Sequence, residues 1–144
     1  METGLRNLKE LFQLEDRDLR TYSPLTLAYI GDGVYELFVR TILVKRGNCQ
    51  VNKLHRQASS LVKASAQSAM MEVLEPVLTE EELGVYKRGR NAHSPTMAKH
   101  ATMSDYRRAT GFEALMGYLY LKEDYQRLLE LVHLGITAAE KDKA

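Results

Sequence analysis

Apolar residues recur at helical spacing along nearly the whole chain, and no segment alternates between apolar and polar residues in the way of a strand. A first helix is predicted over residues 5–14. A second begins after Ser23, a good N-cap, has Pro24 at its first position and ends at Gly47. The sequence therefore predicts an all-α fold.

Four more helices are predicted from capping residues and helix breakers. They run from Asn52 to Pro76, from Thr79 into residues 87–91, from Ser104 to Leu121, and over residues 125–139. Thr79 and Glu82 form a capping box, and residues 92–103 form a long loop without periodicity. The first of these four helices carries one broad apolar stripe, made of Leu54, Ala58, Leu61, Val62, Ala66, Ala69 and Met70.

The composition is typical of one globular domain, because 44% of the 144 residues are hydrophobic and 27% are charged. We therefore expect a single domain over residues 1–144. One cysteine, Cys49, excludes an internal disulfide and fits a reducing, cytoplasmic setting. The N-terminal segment lacks the apolar run of a signal peptide, and no run approaches the roughly 20 apolar residues of a membrane span. A cytoplasmic protein with no membrane partner is expected.

Charge is distributed unevenly along the chain, although the formal net charge is only +1. Residues 87–108 carry a net charge of +5, which leaves −4 for the remainder, and residues 72–82 contain five glutamates. A chain polarised in this way can present a basic face to a nucleic acid while staying near neutral overall. Two solvated helix faces of opposite sign are the alternative.

Two carboxylates stand out in the second predicted helix, which is apolar nearly all round. Asp32 lies between Gly31 and Gly33, and Glu36 follows one turn later on the same face. Glycines inside a helix cost roughly 1 kcal/mol each relative to alanine, and buried acids cost more unless they find partners. Small residues beside a carboxylate let a metal, a substrate or another backbone approach closely. Alternatively, both acids lie on a narrow exposed strip or pair with arginines.

Glu113 repeats this pattern in the helix that ends at Leu121. Its neighbours three and four residues away are small or apolar: Ala109, Thr110, Met116 and Gly117. We expect Glu113 to face inward or toward a groove between helices. Carboxylates from two such helices are the minimum for holding a hard divalent cation such as Mg²⁺, which can activate water and stabilise charge at a phosphorus centre. A buried Glu113 paired with Arg107, Arg108 or a tyrosine is the alternative.

The basic segment offers contacts for phosphate groups, and Gly89 within it allows close approach of the backbone. The candidate RNA-binding residues are Lys87, Arg88, Arg90, Asn91, His93 and Lys99. A mobile loop on a basic surface is the alternative. The sequence shows no zinc-like histidine spacing, no serine or cysteine triad and no nucleotide-binding glycine motif.

Residues 27–36, LAYIGDGVYE, resemble the signature helix of the ribonuclease III family, and residues 112–117, FEALMG, resemble its second catalytic helix. The family normally has further glutamates at the positions of Leu25 and Ala28 and an aspartate at that of Thr110. The same absences are found in a short bacterial branch of the family, Mini-ribonuclease III. The chain is similar to that branch at residues 28–32, 87–91 and 106–115.

The resemblance covers about residues 25–121 and implies a ribonuclease III-type helical endonuclease domain that forms a homodimer. It also implies that no separate double-stranded-RNA-binding domain is present, and only 23 residues follow Leu121. The implied activity is Mg²⁺-dependent cleavage of double-stranded RNA, which leaves a 5′-phosphate and trims the 23S ribosomal RNA precursor. Asp32 and Glu113 would be the catalytic residues and metal ligands, and Glu36 would make an indirect contact.

Several points stay open at this level. The apolar residues around Val34, Leu37 and Phe38 are expected to form the dimer interface, and a ribosomal protein on the substrate is a possible further partner. Because the additional acids are missing, a non-catalytic RNA-binding or ribosome-assembly protein on a degenerate ribonuclease III fold is the main alternative function. A helical metal-binding protein unrelated to RNA is disfavoured by residues 88–91 and by the absence of Glu-x-x-His pairs.

Overall fold

The structure is a computed structural model that describes residues 2–92 and 102–142. These residues form α-helices and two short 3-10 turns, Leu19–Thr21 and Glu75–Val77, without a strand. The predicted all-α fold is thus confirmed. The helices are α1 (Glu2–Phe12), α2 (Pro24–Lys45), α3 (Val51–Val62), α4 (Ala64–Leu74), α5 (Glu80–Asn91), α6 (Met103–Leu121) and α7 (Tyr125–Lys141).

Caps that depend on a few neighbouring residues are confirmed at α2 and α5. Ser23 Oγ accepts a hydrogen bond from the Thr26 N–H at 3.2 Å, and Pro24 occupies the first helical position. Thr79 and Glu82 form the capping box, because each side chain accepts from the backbone N–H of the other, at 3.1 and 2.9 Å. Local sequence therefore determines where these two helices begin.

The long helix predicted from Asn52 to Pro76 is wrong, because the chain leaves helical geometry at Lys63, whose ψ is 155°. α3 and α4 are separate helices, and Gln50 rather than Asn52 is the N-cap of α3. The predicted apolar stripe does not continue across this break. On α4, Ala69 is exposed and Gln67 is buried.

The N-cap of α6 also differs from the prediction. Thr102 rather than Ser104 caps α6, since its hydroxyl accepts from the Asp105 N–H at 3.0 Å. The basic residues 87–91 lie in the last turns of α5, where the predicted helix was expected to lead. Gly89 is buried against α6, where an added Cβ would lie 2.8 Å from the Ala114 Cβ. This glycine therefore serves helix packing, not the predicted close approach of a phosphate.

α6 is the central helix and packs against α2, α4, α5 and α7. Its most enclosed side chains include Phe112, which meets the ring of Tyr35 on α2 edge to face at a centroid distance of 4.9 Å. α7 is tied to the start of α5 by Arg127, which donates to both carboxylate oxygens of the buried Glu82 at 2.8 and 2.9 Å. These contacts hold α2 against α6, the helix that carries Glu113, and hold α7 against α5.

Candidate active site

The crossing of α2 and α6 brings Asp32 and Glu113 together. A Cβ added at Gly31 would lie 1.7 Å from the backbone oxygen of Glu113, and one at Gly117 would lie 2.0 Å from the backbone oxygen of Leu27. Only glycine at both positions lets the two backbones approach this closely. The residue after Gly31 is Asp32, so the close crossing sets its carboxyl group beside that of Glu113. Gly31, one of the two glycines that flank Asp32, thus allows the backbone of α6 to approach α2.

The two carboxyl groups have different environments. Asp32 is exposed to solvent, whereas Glu113 is half-buried. Burial raises the pKa of Glu113 to about 8, and the neighbouring Asp32 adds to the rise through its negative charge and a side-chain hydrogen bond that favours the protonated form. Glu113 thus faces the groove between helices, as predicted, and the alternative pairing with Arg108 is not formed, since Arg108 contacts Glu72 at 3.6 Å.

Gln67 on α4 is a third polar group at this site, and sequence analysis missed it. Its Nε2 lies 3.5 Å from Glu113 Oε2 and donates to the Val62 carbonyl at 2.9 Å. The signal that singled out Glu113 is also present here, because three of the four neighbours at helical spacing, Ala64, Met70 and Met71, are apolar. Because one continuous helix was predicted in place of α3 and α4, this signal at Gln67 was not recognised.

Glu36 lies one turn from Asp32 but is held by its own partner, since Arg40 Nη2 donates to its carboxylate at 3.0 Å. In residues 2–92 and 102–142, no group of three or more His, Cys, Asp or Glu side chains is arranged to hold a metal ion. The donor set therefore consists of the Asp32 and Glu113 carboxyl groups with the Gln67 amide nearby. Two carboxylates fit Mg²⁺, which keeps several water ligands and takes one or two carboxylates from a protein.

The predicted RNA-binding residues are divided between two sides of α5. Arg88 is exposed and lines a cleft of about 860 Å³ together with Gly84 and Tyr118. Arg90 instead lies over the Tyr86 ring, with 5.7 Å between its guanidinium carbon and the ring centroid. Lys87 and Asn91 are exposed, and His93 and Lys99 lie outside the described residues. Arg88 and Arg90 therefore do not form one cluster.

One side of α2 exposes large apolar side chains, and the Glu36–Arg40 ion pair lies on the same side. Tyr29 and Leu37 are 83% and 55% exposed, Val44 is also exposed, and Gly33 has no atom within 4 Å of an added Cβ. We call these four residues the α2 stripe. Val34 lies in the core and Phe38 packs partly against it, so of the three residues expected at a dimer interface only Leu37 is largely exposed.

Glu113→Gln is expected to raise the melting temperature at pH 8. Because the pKa of Glu113 is about 8 in the folded protein, against an ordinary value of 4.5, the folded state binds this proton more tightly than the unfolded chain. The free energy of unfolding therefore falls as the pH rises from about 4.5 to about 8. When the pH is raised from 5 to 8 in EDTA, the melting temperature of the wild type should fall by roughly 5–10 °C relative to that of the variant.

Glu10→Gln, which removes an exposed carboxylate on α1, is the matched control for that comparison. Its melting temperature should follow that of the wild type at every pH. If the melting temperatures of the wild type and of Glu113→Gln change with pH in parallel, that result would contradict the raised pKa of Glu113.

Comparisons with known proteins agree on one family. The family model described as "Ribonuclease III domain" matches residues 25–124. A Mini-ribonuclease 3 from Clostridium tetani is 49% identical over 126 residues, which are 87% of this chain and 83% of that protein. A Mini-ribonuclease 3 from Thermoanaerobacter is 40% identical over 142 residues, which are 98% of this chain and 100% of that protein.

The fold has a solved counterpart. An X-ray structure of a protein from Fusobacterium nucleatum is similar with a TM-score of 0.77 and 29% identity, and the match covers 85% of this chain and 98% of that one. Among the described helices, none is both long and apolar enough to cross a membrane.

Proposed function

Because the chain belongs to the ribonuclease III family, we propose that it is an endoribonuclease that cuts double-stranded RNA with Asp32 and Glu113 as its catalytic carboxylates. Members of this family are metal-dependent and act on double-stranded RNA. The observation that carries the assignment of residues is the pair of carboxyl groups at the glycine crossing of α2 and α6, with the pKa of Glu113 raised to about 8.

Asp32 and Glu113 would hold Mg²⁺ between them, directly or through water. Two adjacent carboxylates repel each other when both are ionised, and a divalent cation relieves that repulsion. When bound, the ion lowers the pKa of a water molecule and offsets the charge that develops at the phosphate. Asp32 is exposed and therefore accessible to RNA, whereas Glu113 is half-buried. Glu36, which Arg40 holds at 3.0 Å, would make only an indirect contact.

The proposal is tested with a duplex RNA and a single strand of the same sequence, each incubated with Mg²⁺ or with EDTA. We expect cleavage of the duplex in Mg²⁺ alone, with products that carry a 5′-phosphate. Full activity in EDTA would contradict the role of the metal, and equal cleavage of the single strand would contradict the substrate class.

The basic end of α5 would contact the RNA backbone, through Lys87, Arg88, Arg90 and Asn91. His93 and Lys99 stay predicted contacts. A-form RNA is recognised mostly by shape and by phosphate and 2′-hydroxyl contacts, so basic side chains there would add affinity without reading bases.

Arg88→Ala and Arg90→Ala are each expected to weaken duplex binding and to reduce the slope of log K against log salt by about 1, because each removes one phosphate contact. Titrations of a catalytically inactive protein at several salt concentrations measure this slope. Arg6→Ala, an exposed arginine on α1, removes the same charge elsewhere and should leave the slope unchanged. If Arg88→Ala and Arg90→Ala also leave it unchanged, these side chains do not contact phosphates.

A homodimer built on the α2 stripe would place two active sites side by side. The stripe exposes large apolar side chains on the same helix that carries Asp32, and burying them against a second copy removes apolar surface from water. Two-fold symmetry would direct identical sites to opposite strands of a duplex. Sedimentation at micromolar concentration should show a dimer, and a monomer throughout a dilution series would contradict this arrangement.

The substrate in the cell would be the 23S ribosomal RNA precursor, processed in the cytoplasm, with a ribosomal protein on the RNA as a further partner. This choice is what the resemblance to the Mini-ribonuclease III branch implies. The similarity to proteins named Mini-ribonuclease 3 favours the enzyme over a non-catalytic RNA-binding protein. A duplex formed by the ends of that precursor should be cut faster than an unrelated duplex of equal length. Equal rates would contradict a specific role in its maturation. The single domain over residues 1–144, without a second RNA-binding domain, stays a prediction.

A further inference from the structure

Gln67 is a buried amide at the junction of three helices. Its side chain is on α4, it is 1% exposed, and it contacts the end of α3 and Glu113 on α6. A buried amide is costly unless its polar atoms are hydrogen-bonded. Its Oε1 is nevertheless buried without a hydrogen-bond partner in the described part of the chain. The packing of α4 alone does not account for a glutamine at this position.

The orientation of this amide is determined by its two neighbours. At the break between α3 and α4, the Ala66 N–H donates to the Lys63 carbonyl at 3.0 Å, which leaves the Val62 carbonyl without its usual helical donor. Gln67 Nε2 supplies that donor at 2.9 Å. A flipped amide would set its oxygen against the Val62 carbonyl, which can only accept a hydrogen bond whether Glu113 is protonated or ionised. Nε2 therefore has to face Glu113 Oε2.

We propose that Gln67 is a positioning residue for the metal site, which holds Glu113 by donating a hydrogen bond to Oε2. This inference rests on the proposed function, because it takes Glu113 as a metal ligand. The amide is neutral, so it fixes the carboxylate without cancelling the negative charge that attracts a cation. A lysine or arginine at the same place would form an ion pair with Glu113 and compete with the metal.

The test is the affinity for Mn²⁺ in the absence of RNA, measured by electron paramagnetic resonance, since Mn²⁺ suits the same oxygen ligands as Mg²⁺. Gln67→Met keeps the length of the side chain and removes its donors. We expect Mn²⁺ binding to weaken roughly 10-fold, as is usual when a hydrogen-bond partner of a metal ligand is lost. The melting temperature should fall as well, because the Val62 carbonyl loses the donor that Nε2 supplies, although the variant also removes the unpartnered Oε1.

Tyr35→Phe is the matched control, because Tyr35 Oη donates at 2.7 Å to the Leu61 carbonyl, next to that of Val62, in an equally buried place. It should lower the melting temperature and leave Mn²⁺ affinity within twofold of the wild type. If Gln67→Met binds Mn²⁺ as tightly as the wild type, the positioning role is wrong while the metal site stands. If the wild type binds no Mn²⁺, the proposed function is wrong, and this inference is wrong with it.

A measurement on the unmodified protein covers the case in which Gln67→Met does not fold. The side-chain amide resonance of Gln67 should shift on addition of Mg²⁺, because its acceptor becomes a metal ligand. The amide of Gln57, exposed on α3, should not shift. An unchanged Gln67 resonance at saturating Mg²⁺ would overturn the inference.

Discussion

Asp32→Asn and Glu113→Gln are each expected to lower the rate of duplex RNA cleavage by roughly three orders of magnitude, because several kcal/mol of transition-state stabilisation depend on the ion that these carboxylates hold. RNA binding should persist in both variants. Removing a negative charge from the site reduces repulsion of the phosphate backbone, so affinity should stay equal or rise. Single-turnover cleavage and equilibrium binding of the same labelled duplex measure the two effects separately.

Glu36→Gln is the matched control for these variants, since it changes a carboxylate one turn along the same face of α2 that already pairs with Arg40 at 3.0 Å. We expect its cleavage rate to fall by less than about 10-fold, as befits an indirect contact. Loss of folding does not explain an inactive Glu113→Gln protein, because this substitution is expected to raise the melting temperature at pH 8. Wild-type rates in Asp32→Asn or Glu113→Gln would refute the assignment of the site.

Local sequence predicted those parts of the fold that depend on neighbouring residues. Ser23 with Pro24, and Thr79 with Glu82, begin α2 and α5 where expected, because every atom of each cap lies within a few residues. The helical spacing of apolar residues likewise sufficed for the fold class. These signals need no knowledge of the rest of the chain.

The break at Lys63 was not predictable in this way, because neither glycine nor proline marks it. Two side chains satisfy carbonyl groups at the break, Gln67 from the first turn of α4 and Tyr35 from α2, which is distant in sequence. A helix end that is completed in part by a distant side chain leaves little mark in the local pattern. With the break missed, the apolar stripe of α3 was extended in the wrong phase, and Gln67 was passed over.

At the candidate site too, the sequence identified the two carboxylates but not the contact between them. Asp32 and Glu113 were singled out because acids among small and apolar residues are unusual, and the family resemblance gave them a role. Their contact depends on Gly31 and Gly117, which let α2 and α6 cross closely enough. The sequence marked these glycines as costly within helices but did not indicate which backbone they face.

Gly31→Ala is expected to destabilise the protein by more than about 3 kcal/mol, at the upper end for overpacked positions. The added Cβ would lie 1.7 Å from the backbone oxygen of Glu113 and 2.7 Å from the backbone nitrogen of Gly117. Backbone atoms inside a helix cannot turn aside as a flexible side chain does, so α2 and α6 must separate. We expect the melting temperature to fall by roughly 10 °C or more, and cleavage to fall with it because the same crossing aligns Asp32 with Glu113.

Gly84→Ala is the control, because the nearest atom to its added Cβ is the flexible end of Arg88 at 3.3 Å. It should leave the melting temperature unchanged or raise it slightly, since alanine favours the interior of a helix over glycine by up to about 1 kcal/mol. If Gly31→Ala melts like the wild type, the two helices do not cross as closely as described. If it melts lower but cleaves normally at a temperature where it is folded, the crossing supports the fold without aligning the carboxylates.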